Sequence, residues 1–510
     1  MNFRKLFILF SVTKFNEVII GILITTIFLF LLSGSYLKVY NDDALFYGII
    51  AKHFIGTGNF TFDGIAKTNG FHWIGMITSV IISSIINYFN INNFEDFFKL
   101  KYFFDAAIIL SLVLLLTKKV IINRINPNNN LLINFLLIVS FVFALTQILL
   151  LGLGMELVFL PFLIVVLIFK ITAPETKAAS TFILAGLIIL SRIDYLSVII
   201  TITLLSGFVN NSFISKKNLY LISGAITGVL LVFTLNYLAA GSINSTSSTI
   251  KSYGFNFQVD PSFIISPFNI FELITYIFLV IYTFRKRDNN LSLFFISSVS
   301  FVVFSQVTLM RMFAGGNMGN WYDVVHLSLG LIALYMLFIA ILSDKIITMI
   351  LKRFILIFLT IVIVLITPRL MVKVLLGSVT TNHTCIKEFC SEIISIVPHG
   401  ENIAIDDLPG IVTIYTKHNI IALDGLANSP GYVENYLLKG RISNYLKNVG
   451  CRWLIIINNR INTKAEKVLT ASVGFPFNKK VPGSIVRFKR NQIFLDKYCE
   501  NLNLALIKLF

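Results

Sequence analysis

Residues 40–73 form the stretch that decides the fold, with the sequences YNDDALFY (40–47), GTGNFTFDG (56–64) and KTNGFHW (67–73). An apolar run at 16–37 precedes this stretch, and another at 73–89 follows it. Two adjacent carboxylates, Asp42 and Asp43, therefore come directly after a segment of the roughly 20 residues that cross a bilayer. Charges that repel each other beside lipid cost free energy unless they are well solvated or functional. The pair either caps a helix or belongs to a site, and the local sequence leaves both interpretations open.

The composition of the 510-residue chain indicates a membrane protein. Apolar residues make up 56% and charged residues 13% of the chain, against about 45–50% and about 25% in soluble domains. The mean hydropathy is +0.83, and about twelve apolar runs approach the length of a bilayer span. We therefore predict an all-α polytopic membrane domain over residues 1–377, with about 11–13 transmembrane helices.

The chain changes character after residue 377, where charge density becomes ordinary. Short apolar runs at 402–406, 411–415 and 420–425 alternate with predicted helices at 385–397 and 432–448. This alternation predicts a soluble α/β domain over residues 378–510. The domain has no glycine-rich phosphate-binding loop, and the aspartates at its strand ends, Asp406, Asp407 and Asp424, are best interpreted as turn residues.

Basic residues predict the orientation of the membrane domain, because Lys and Arg in short loops are retained on the cytoplasmic side. The net charge of +17 is explained by such loops and does not indicate a nucleic-acid partner. The N-terminus is then cytoplasmic, and an external C-terminal domain requires an odd number of crossings. The count conflicts with this requirement near residues 73–101, where the run 73–89 is short. The segments predicted to lie outside are the first outer loop (39–72), the turn at Glu156, Arg192 to Asp194, 241–267, Arg311 to Tyr322, and the C-terminal domain.

Residues 38–75 resemble the bacterial membrane glycosyltransferases of the GT-C fold, which are similar to the protein mannosyltransferases and to the aminoarabinose transferase that acts on lipid A. The resemblance is carried by the acidic pair, the aromatic helix after it, the glycine-rich turn and TNGFHW (68–73). It is looser at GLGME (152–156), SRID (191–194) and NWY (320–322), and Trp73 stands where the family has Pro.

The resemblance implies a GT-C-like fold in the bacterial inner (plasma) membrane. It also implies inverting transfer of a sugar from a polyprenyl-phosphate donor to a glycan, lipid or protein acceptor on the outer face. The first acidic residue of the pair is the general base in that family, which makes Asp42 the candidate base and Asp43 the second candidate. A positioned carboxylate typically contributes about 10²–10⁴-fold to the attack of a weak nucleophile such as a hydroxyl.

Further candidates for substrate binding lie in the other predicted outer segments. A phosphate leaving group needs a cation, and Arg192, Arg311 and Lys67 are candidates, although Arg192 could instead pair with Asp194 or reach the membrane interface. The polar and aromatic candidates are Glu156, Asn69, His72, Trp321 and Tyr322, of which Trp321 and Tyr322 equally fit an interfacial aromatic belt. A divalent metal ion is a further candidate cofactor, with Asp42, Asp43, Glu156 and His72 as ligands, but no ligand spacing requires it.

All four cysteines lie in the tail, at Cys385, Cys390, Cys451 and Cys499. An even number in an external domain allows up to two disulfides with three alternative pairings. Proximity favours Cys385–Cys390 with Cys451–Cys499, and four free thiols remain an equally good alternative.

Two other functions stay open at this point. A transporter or flippase for a lipid-linked glycan would carry charged residues buried at mid-span and would not need the acidic pair. A non-catalytic membrane scaffold with an external binding domain would make the acidic pair incidental.

Overall fold

The computed structural model describes most of the chain outside the N-terminal segment and a few internal gaps. The described residues are 40, 42–90, 94–116, 141, 145, 148–149, 152–173, 177–253, 267–285, 287, 290–313, 320–343, 379–457, 461–462, 469–473, 484–499 and 502–509. The fold is mostly helical and carries a mixed β-sheet in its C-terminal region, which confirms the predicted fold class. The predicted domain boundary at 377–378 lies outside the described residues, as do the runs 16–37, most of 131–153, and 350–372.

The helices before the C-terminal region follow the apolar runs of the sequence. They are α1 (Asp42–Thr57), α2 (Trp73–Tyr88), α3 (Phe94–Leu116), α4 (Phe159–Thr172), α5 (Ala178–Ser191), α6 (Leu196–Val209), α7 (Lys216–Ala240), α8 (Thr246–Tyr253), α9 (Pro267–Arg285), α10 (Leu291–Phe313) and α11 (Val324–Ser343). Short 3₁₀ turns at Glu156–Val158, Ile193–Tyr195 and Asn320–Asp323 lead into α4, α6 and α11. Local capping sets their ends, as in α7, where the Ser215 hydroxyl accepts from the Asn218 N–H and Gly241 ends the helix in a left-handed conformation.

The outer surfaces of several helices are apolar. Within the described residues, two helices, Lys216–Ala240 and Leu291–Met312, are long and apolar enough to cross a membrane. Exposed apolar side chains follow one face of α7 at helical spacing, at Ile222, Ile226 and Leu230, and α9 repeats this pattern at Ile270, Ile274 and Phe278. Apolar stripes of this kind on an outer surface are unfavourable in water and are typical of helices that face lipid.

The loops predicted to share one side of the membrane do meet at one end of the helices. The contacts that join the predicted outer segments are Asp42 with Ile411, Asn69 with Thr246, Glu156 with Arg192, and Arg192 with Tyr322. The loop with Lys177 and the loop with Lys216 and Lys217 are predicted to be cytoplasmic by their basic residues. They meet at the opposite end, where the Lys217 ammonium donates to the Ala173 carbonyl at 2.6 Å. The positive-inside pattern therefore predicted correctly which of these loops lie together.

Helices α2 and α3 lie in the region where the predicted number of crossings conflicts with the predicted orientation. Helix α2 begins at the end of the bundle where Glu156 lies, because His72 Nε2 is 3.7 Å from Glu156 Oε1. Helix α3 begins at that same end, since the Tyr40 hydroxyl donates to the Phe98 carbonyl at 3.1 Å. With 16 residues, α2 is also shorter than the roughly 20 residues of a span. Helices α2 and α3 therefore both begin at the end of the bundle where Glu156 lies.

The C-terminal region has two sheets. The elements of this region are α12 (Val379–Ile396), β1 (Ile403–Ile405), α13 (Pro409–Thr416), β2 (Ile420–Ala422), α14 (Pro430–Tyr432) with a π-helix at Val433–Leu437, α15 (Ile442–Asn448), β3 (Trp453–Ile457), β4 (Ile461–Asn462), β5 (Leu469–Val473), β6 (Ser484–Phe488), β7 (Ile493–Cys499) and β8 (Leu502–Lys508). The five-stranded mixed sheet has the order β2-β1-β3-β8-β7, with β1 parallel to β2 and β3. The smaller antiparallel sheet has the order β4-β5-β6. The run 411–415 is helical and not extended because Pro409 starts a helix there, and Gly440, at φ 65°, lies in the turn that divides the predicted helix 432–448.

Both predicted cysteine pairs are wrong. Cys390 and Cys451 are free and buried, while Cys385 is disulfide-bonded and its sulfur lies 4.0 Å from the Tyr498 carbonyl oxygen. Proximity in sequence misleads here because Cys385 and Cys390 are five residues apart on α12, so the two side chains leave the helix in different directions.

Candidate functional site

Asp42 joins the first outer loop to the C-terminal domain. Its Oδ1 accepts the Ile411 N–H at 2.8 Å and its Oδ2 accepts the Gly410 N–H at 3.2 Å. These two donors belong to the first turn of α13, where backbone N–H groups have no partner within the helix and the helix dipole favours an anion. The carboxylate predicted to be the base is thus fixed at the boundary between the two parts of the chain.

Four aspartates come together at this boundary. Asp407 follows β1 and Asp424 follows β2, at the carboxyl ends of these two parallel strands, the edge at which α/β sheets usually bind ligands. Besides burial, the charge of Asp407 contributes to a raised pKa at Asp42, and the charges of Asp43, Asp407 and Asp42 contribute to a raised pKa at Asp424. Loss of solvation on burial, followed by repulsion from Asp43, raises the pKa of Asp42 to about 8, against the lowering effect of the two N–H donors. Burial and these neighbours also raise the pKa of Asp424 well above its ordinary value.

The close approach of α13 to Asp42 requires a glycine at position 410. A methyl group there would lie 2.8 Å from the Asp42 carbonyl oxygen and 2.9 Å from Asp42 Oδ1. We expect Gly410→Ala to lower the unfolding free energy by about 1–3 kcal/mol, the usual cost of overpacking, and to weaken docking of the C-terminal domain. Thermal unfolding of the purified protein measures this effect.

Gly431 provides the matched control for that variant. It also follows a proline in the first turn of a helix, and a methyl group there would meet no atom within 4 Å. We expect Gly431→Ala to melt as the wild type does. Equal melting temperatures of Gly410→Ala and Gly431→Ala would show that the contact between α13 and Asp42 does not require glycine at position 410.

A second polar cluster surrounds the buried carboxylate of Glu156, which has 0% exposure. The Tyr47 hydroxyl donates to Oε2 at 2.6 Å, and Arg192 Nη1 donates to Oε1 at 3.4 Å. Arg192 also donates from Nε to Asp194 at 3.1 Å, and its guanidinium carbon lies 4.9 Å from the centre of the Tyr322 ring. Four residues predicted to bind substrate, Glu156, Arg192, His72 and Tyr322, are therefore brought together.

Tyr47 connects this cluster to the acidic pair. It lies four residues after Asp43 on α1, so the two side chains share a helix face. Its hydroxyl also accepts the His72 N–H at 3.2 Å. Its ring packs closely on Gly75, where an added methyl group would lie only 2.7 Å from a carbon of the Tyr47 ring. Burial and the Glu156 carboxylate raise the pKa of Tyr47 well above its ordinary value, so the phenol stays a proton donor to Glu156.

The turn that presents Glu156 is held by a buried ion pair on α3. Gly154 has a φ of 83°, a conformation that favours glycine, and its N–H donates to Asp105 Oδ2 at 2.8 Å. Lys101 pairs with the other oxygen of Asp105 at 2.5 Å. Since both oxygens of this carboxylate are satisfied, the pair fixes the position of Glu156 within the helical bundle.

Asn69 is a structural residue in this fold. Its Nδ2 donates to the carbonyls of Ser242 and Asn244, both at 3.0 Å, and its Oδ1 accepts the Thr246 N–H at 3.1 Å. The neighbouring Thr68 hydroxyl donates to the Asn428 carbonyl at 2.8 Å. The stretch KTNG therefore joins three segments, the first outer loop, the loop before α8, and the C-terminal domain.

The remaining predicted site residues are placed differently. Lys67 is exposed. Arg311 forms a bidentate ion pair with Asp323, with both nitrogen–oxygen distances at 2.7 Å, and next to this pair His326 Nε2 lies 3.1 Å from Glu272 Oε1. The side chain of Trp321 lies outside the described residues. A phosphate bound by Arg311, as predicted, would thus have to compete with the Asp323 carboxylate.

The predicted metal ligands do not form a metal site. Among the described residues, no group of three or more His, Cys, Asp and Glu side chains is placed to hold a metal ion. Asp42 turns to backbone N–H groups of α13, whereas Glu156 and His72 belong to the cluster around Tyr47.

Comparisons with known proteins add a likeness of fold. The fold belongs to the class of mostly helical proteins with a C-terminal mixed-sheet region. It is similar to the crystal structure of ArnT from Cupriavidus metallidurans bound to undecaprenyl phosphate, with 10% identity, a TM-score of 0.49, and coverage of 85% of this chain and 92% of that chain. No family model matches the sequence, and no curated protein matches it. The likeness is one of fold alone.

Proposed function

We propose that this protein is an inverting glycosyltransferase of the membrane that moves a sugar from a polyprenyl-phosphate carrier to a glycan, lipid or protein acceptor. The proposal places the reaction and the C-terminal domain on the extracytoplasmic face of a bacterial inner membrane. It is supported by the resemblance of residues 38–75 to GT-C glycosyltransferases and by the apolar outer faces of α7 and α9.

One observation carries the proposal furthest. Helix α1 begins with the acidic pair and carries, one turn after Asp43 and on the same face, Tyr47, whose hydroxyl donates to the buried Glu156 beside Arg192 and His72. These groups come from distant parts of the sequence. A carboxylate near a positively charged guanidinium is what transfer from a phosphate leaving group to a hydroxyl needs.

The roles proposed for the chain's own residues follow from these contacts. Asp42 takes the proton of the acceptor hydroxyl as the sugar carbon is attacked, and the two N–H donors of α13 hold its carboxylate in place. Arg192 stabilises the charge that develops on the leaving phosphate. Its contacts with Asp194 and Glu156 use Nε–H and one N–H of Nη1. Since a guanidinium has five N–H donors, the others can donate to a phosphate oxygen.

A transporter would be favoured by charges buried at mid-span, and Lys101 with Asp105 on α3 is a buried pair that needs an explanation. The pair is accounted for by structure, however, because Asp105 accepts both Lys101 and the Gly154 N–H. A carboxylate with both oxygens satisfied does not call for a transported ion.

A transfer assay tests the proposed function directly. Purified protein is offered a panel of polyprenyl-phosphate sugars with lipid, glycan and peptide acceptors, and release of polyprenyl phosphate is measured. We expect turnover with at least one sugar. No turnover with any donor, together with movement of a lipid-linked glycan across the membrane of vesicles that contain the protein, would contradict the enzyme hypothesis and favour the transporter.

A further inference from the structure

A cavity of about 350 Å³ opens on the C-terminal domain, within the size range of small-ligand sites. It lies between the π-helix Val433–Leu437 and α15. Three of its lining side chains are cationic, Lys439, Arg441 and Lys447, and no carboxylate lines it. Like charges gathered around one hollow repel each other, and an anion in the hollow relieves that repulsion.

The rest of the lining suits a sugar. Amides of Asn435 and Asn448, with the Tyr436 hydroxyl, offer both donors and acceptors. The Asn448 Nδ2 donates to the Tyr436 hydroxyl at 3.2 Å, so these groups are already held together. The Tyr436 ring lies 5.2 Å from that of the buried Tyr445, which fixes an aromatic surface at the wall of the cavity.

The backbone of this segment is unusual. The π-helix Val433–Leu437 is a rare conformation that is often found at functional sites. The Arg441 N–H donates to the Tyr436 carbonyl at 2.8 Å, which joins the backbones of two residues that line the cavity. The inner side of the same π-helix packs with Ile250 of α8 through Val433 and Leu437. The π-helix that lines the cavity therefore packs on α8, the helix that begins at Thr246, a partner of Asn69.

From these observations we propose that the cavity binds a negatively charged saccharide, one that carries a phosphate or carboxylate group. Arg441 holds the anionic group through its paired N–H donors, Lys439 and Lys447 add charge, and the asparagines with Tyr436 hold the sugar. The site is separate from the acidic pair, and binding there does not depend on the transfer reaction.

Binding of glucose 6-phosphate to the full chain in neutral phosphatidylcholine nanodiscs tests the proposal by calorimetry. We expect saturable binding that weakens as salt is added, and at least about tenfold weaker binding in Arg441→Gln. Inorganic phosphate and uncharged glucose should each bind at least about tenfold more weakly than the sugar phosphate. Inorganic phosphate that bound as tightly would overturn the saccharide part of the proposal.

Lys387→Gln is the matched control, because it removes one exposed positive charge from α12, away from the cavity. We expect it to bind as the wild type does, with unchanged melting of both variants. Equal loss of binding in Arg441→Gln and Lys387→Gln would show that binding depends only on the net charge of the protein, and it would overturn the proposed site. Nanodiscs containing phosphatidylglycerol identify the source of the anion: competition with glucose 6-phosphate in the wild type, but not in Arg441→Gln, assigns a lipid headgroup, and its absence assigns a free glycan.

Discussion

Asp42→Asn is expected to lower sugar transfer by about 10²–10⁴-fold, the usual contribution of a positioned general base. Asparagine has the size of aspartate and keeps one acceptor oxygen for the α13 N–H groups, but it cannot take a proton. Initial rates with the best donor of the panel measure the loss. Thermal unfolding of the same preparation shows whether the fold is kept.

The pH dependence of the wild type gives an independent check on this assignment. A base acts in its deprotonated form, and burial raises the pKa of Asp42 to about 8. Transfer should therefore rise as the pH rises toward about 8 and then level off. A rate that is flat from pH 6 to pH 9, outside any denaturation, would remove Asp42 from the role of base.

Two variants separate the chemical role of Asp42 from its role in docking. Asp43→Asn removes the neighbouring acid and leaves both α13 hydrogen bonds in place, so its loss of transfer should be smaller. Gly410→Ala disturbs the α13 contact and leaves the carboxylate in place. If Gly410→Ala reduced transfer as far as Asp42→Asn does, the carboxylate would act only by positioning the C-terminal domain.

The second large effect is expected for Arg192→Met, which removes the cation beside Glu156. Arg192 has 6% exposure and Glu156 has 0%, so the carboxylate would be left as an uncompensated buried charge. Removing one member of a buried pair costs about 3–5 kcal/mol. Denaturant unfolding in detergent measures this loss, and transfer should fall as well because the proposed leaving-group cation is gone.

The double variant Glu156→Gln with Arg192→Met tests the reason for that loss. Glutamine is neutral and still accepts the Tyr47 hydroxyl, so no buried charge is left alone. We expect the double variant to regain much of the stability but none of the transfer activity. A double variant no more stable than Arg192→Met would contradict the ion pair as the cause.

Much of the fold could be predicted from local physical rules. Lys and Arg positions sorted loops that meet at opposite ends of the helices, as the Asn69–Thr246 and Lys217–Ala173 contacts show. The short apolar run 73–89 corresponds to the 16-residue helix α2. The contact between Glu156 and Arg192 agrees with the predicted topology, because both charges lie in segments predicted to share the outer side.

Other parts of the site needed the structure because their partners are distant in the sequence. Tyr47 looks like one more aromatic residue among 48 phenylalanines and 18 tyrosines, and only its 2.6 Å bond to Glu156 marks it. Asn69, predicted to bind substrate, uses its side chain on three backbone groups. The N–H donors at Gly410 and Ile411 have no side-chain signature, although the Pro-Gly pair at 409–410 does indicate the helix start.

The bond between Asp42 and Ile411 has a consequence for how the protein is made. The two residues are separated by 369 positions, and a ribosome adds about 5–20 residues per second. The first outer loop must therefore remain without its α13 partner for roughly 20–70 s after it is synthesised. During that time its carboxylates remain open to water, and the acidic pair reaches its final surroundings only when the last quarter of the chain has been delivered across the membrane. A chain that stalls before α13 therefore has the loop but not the backbone partners of Asp42.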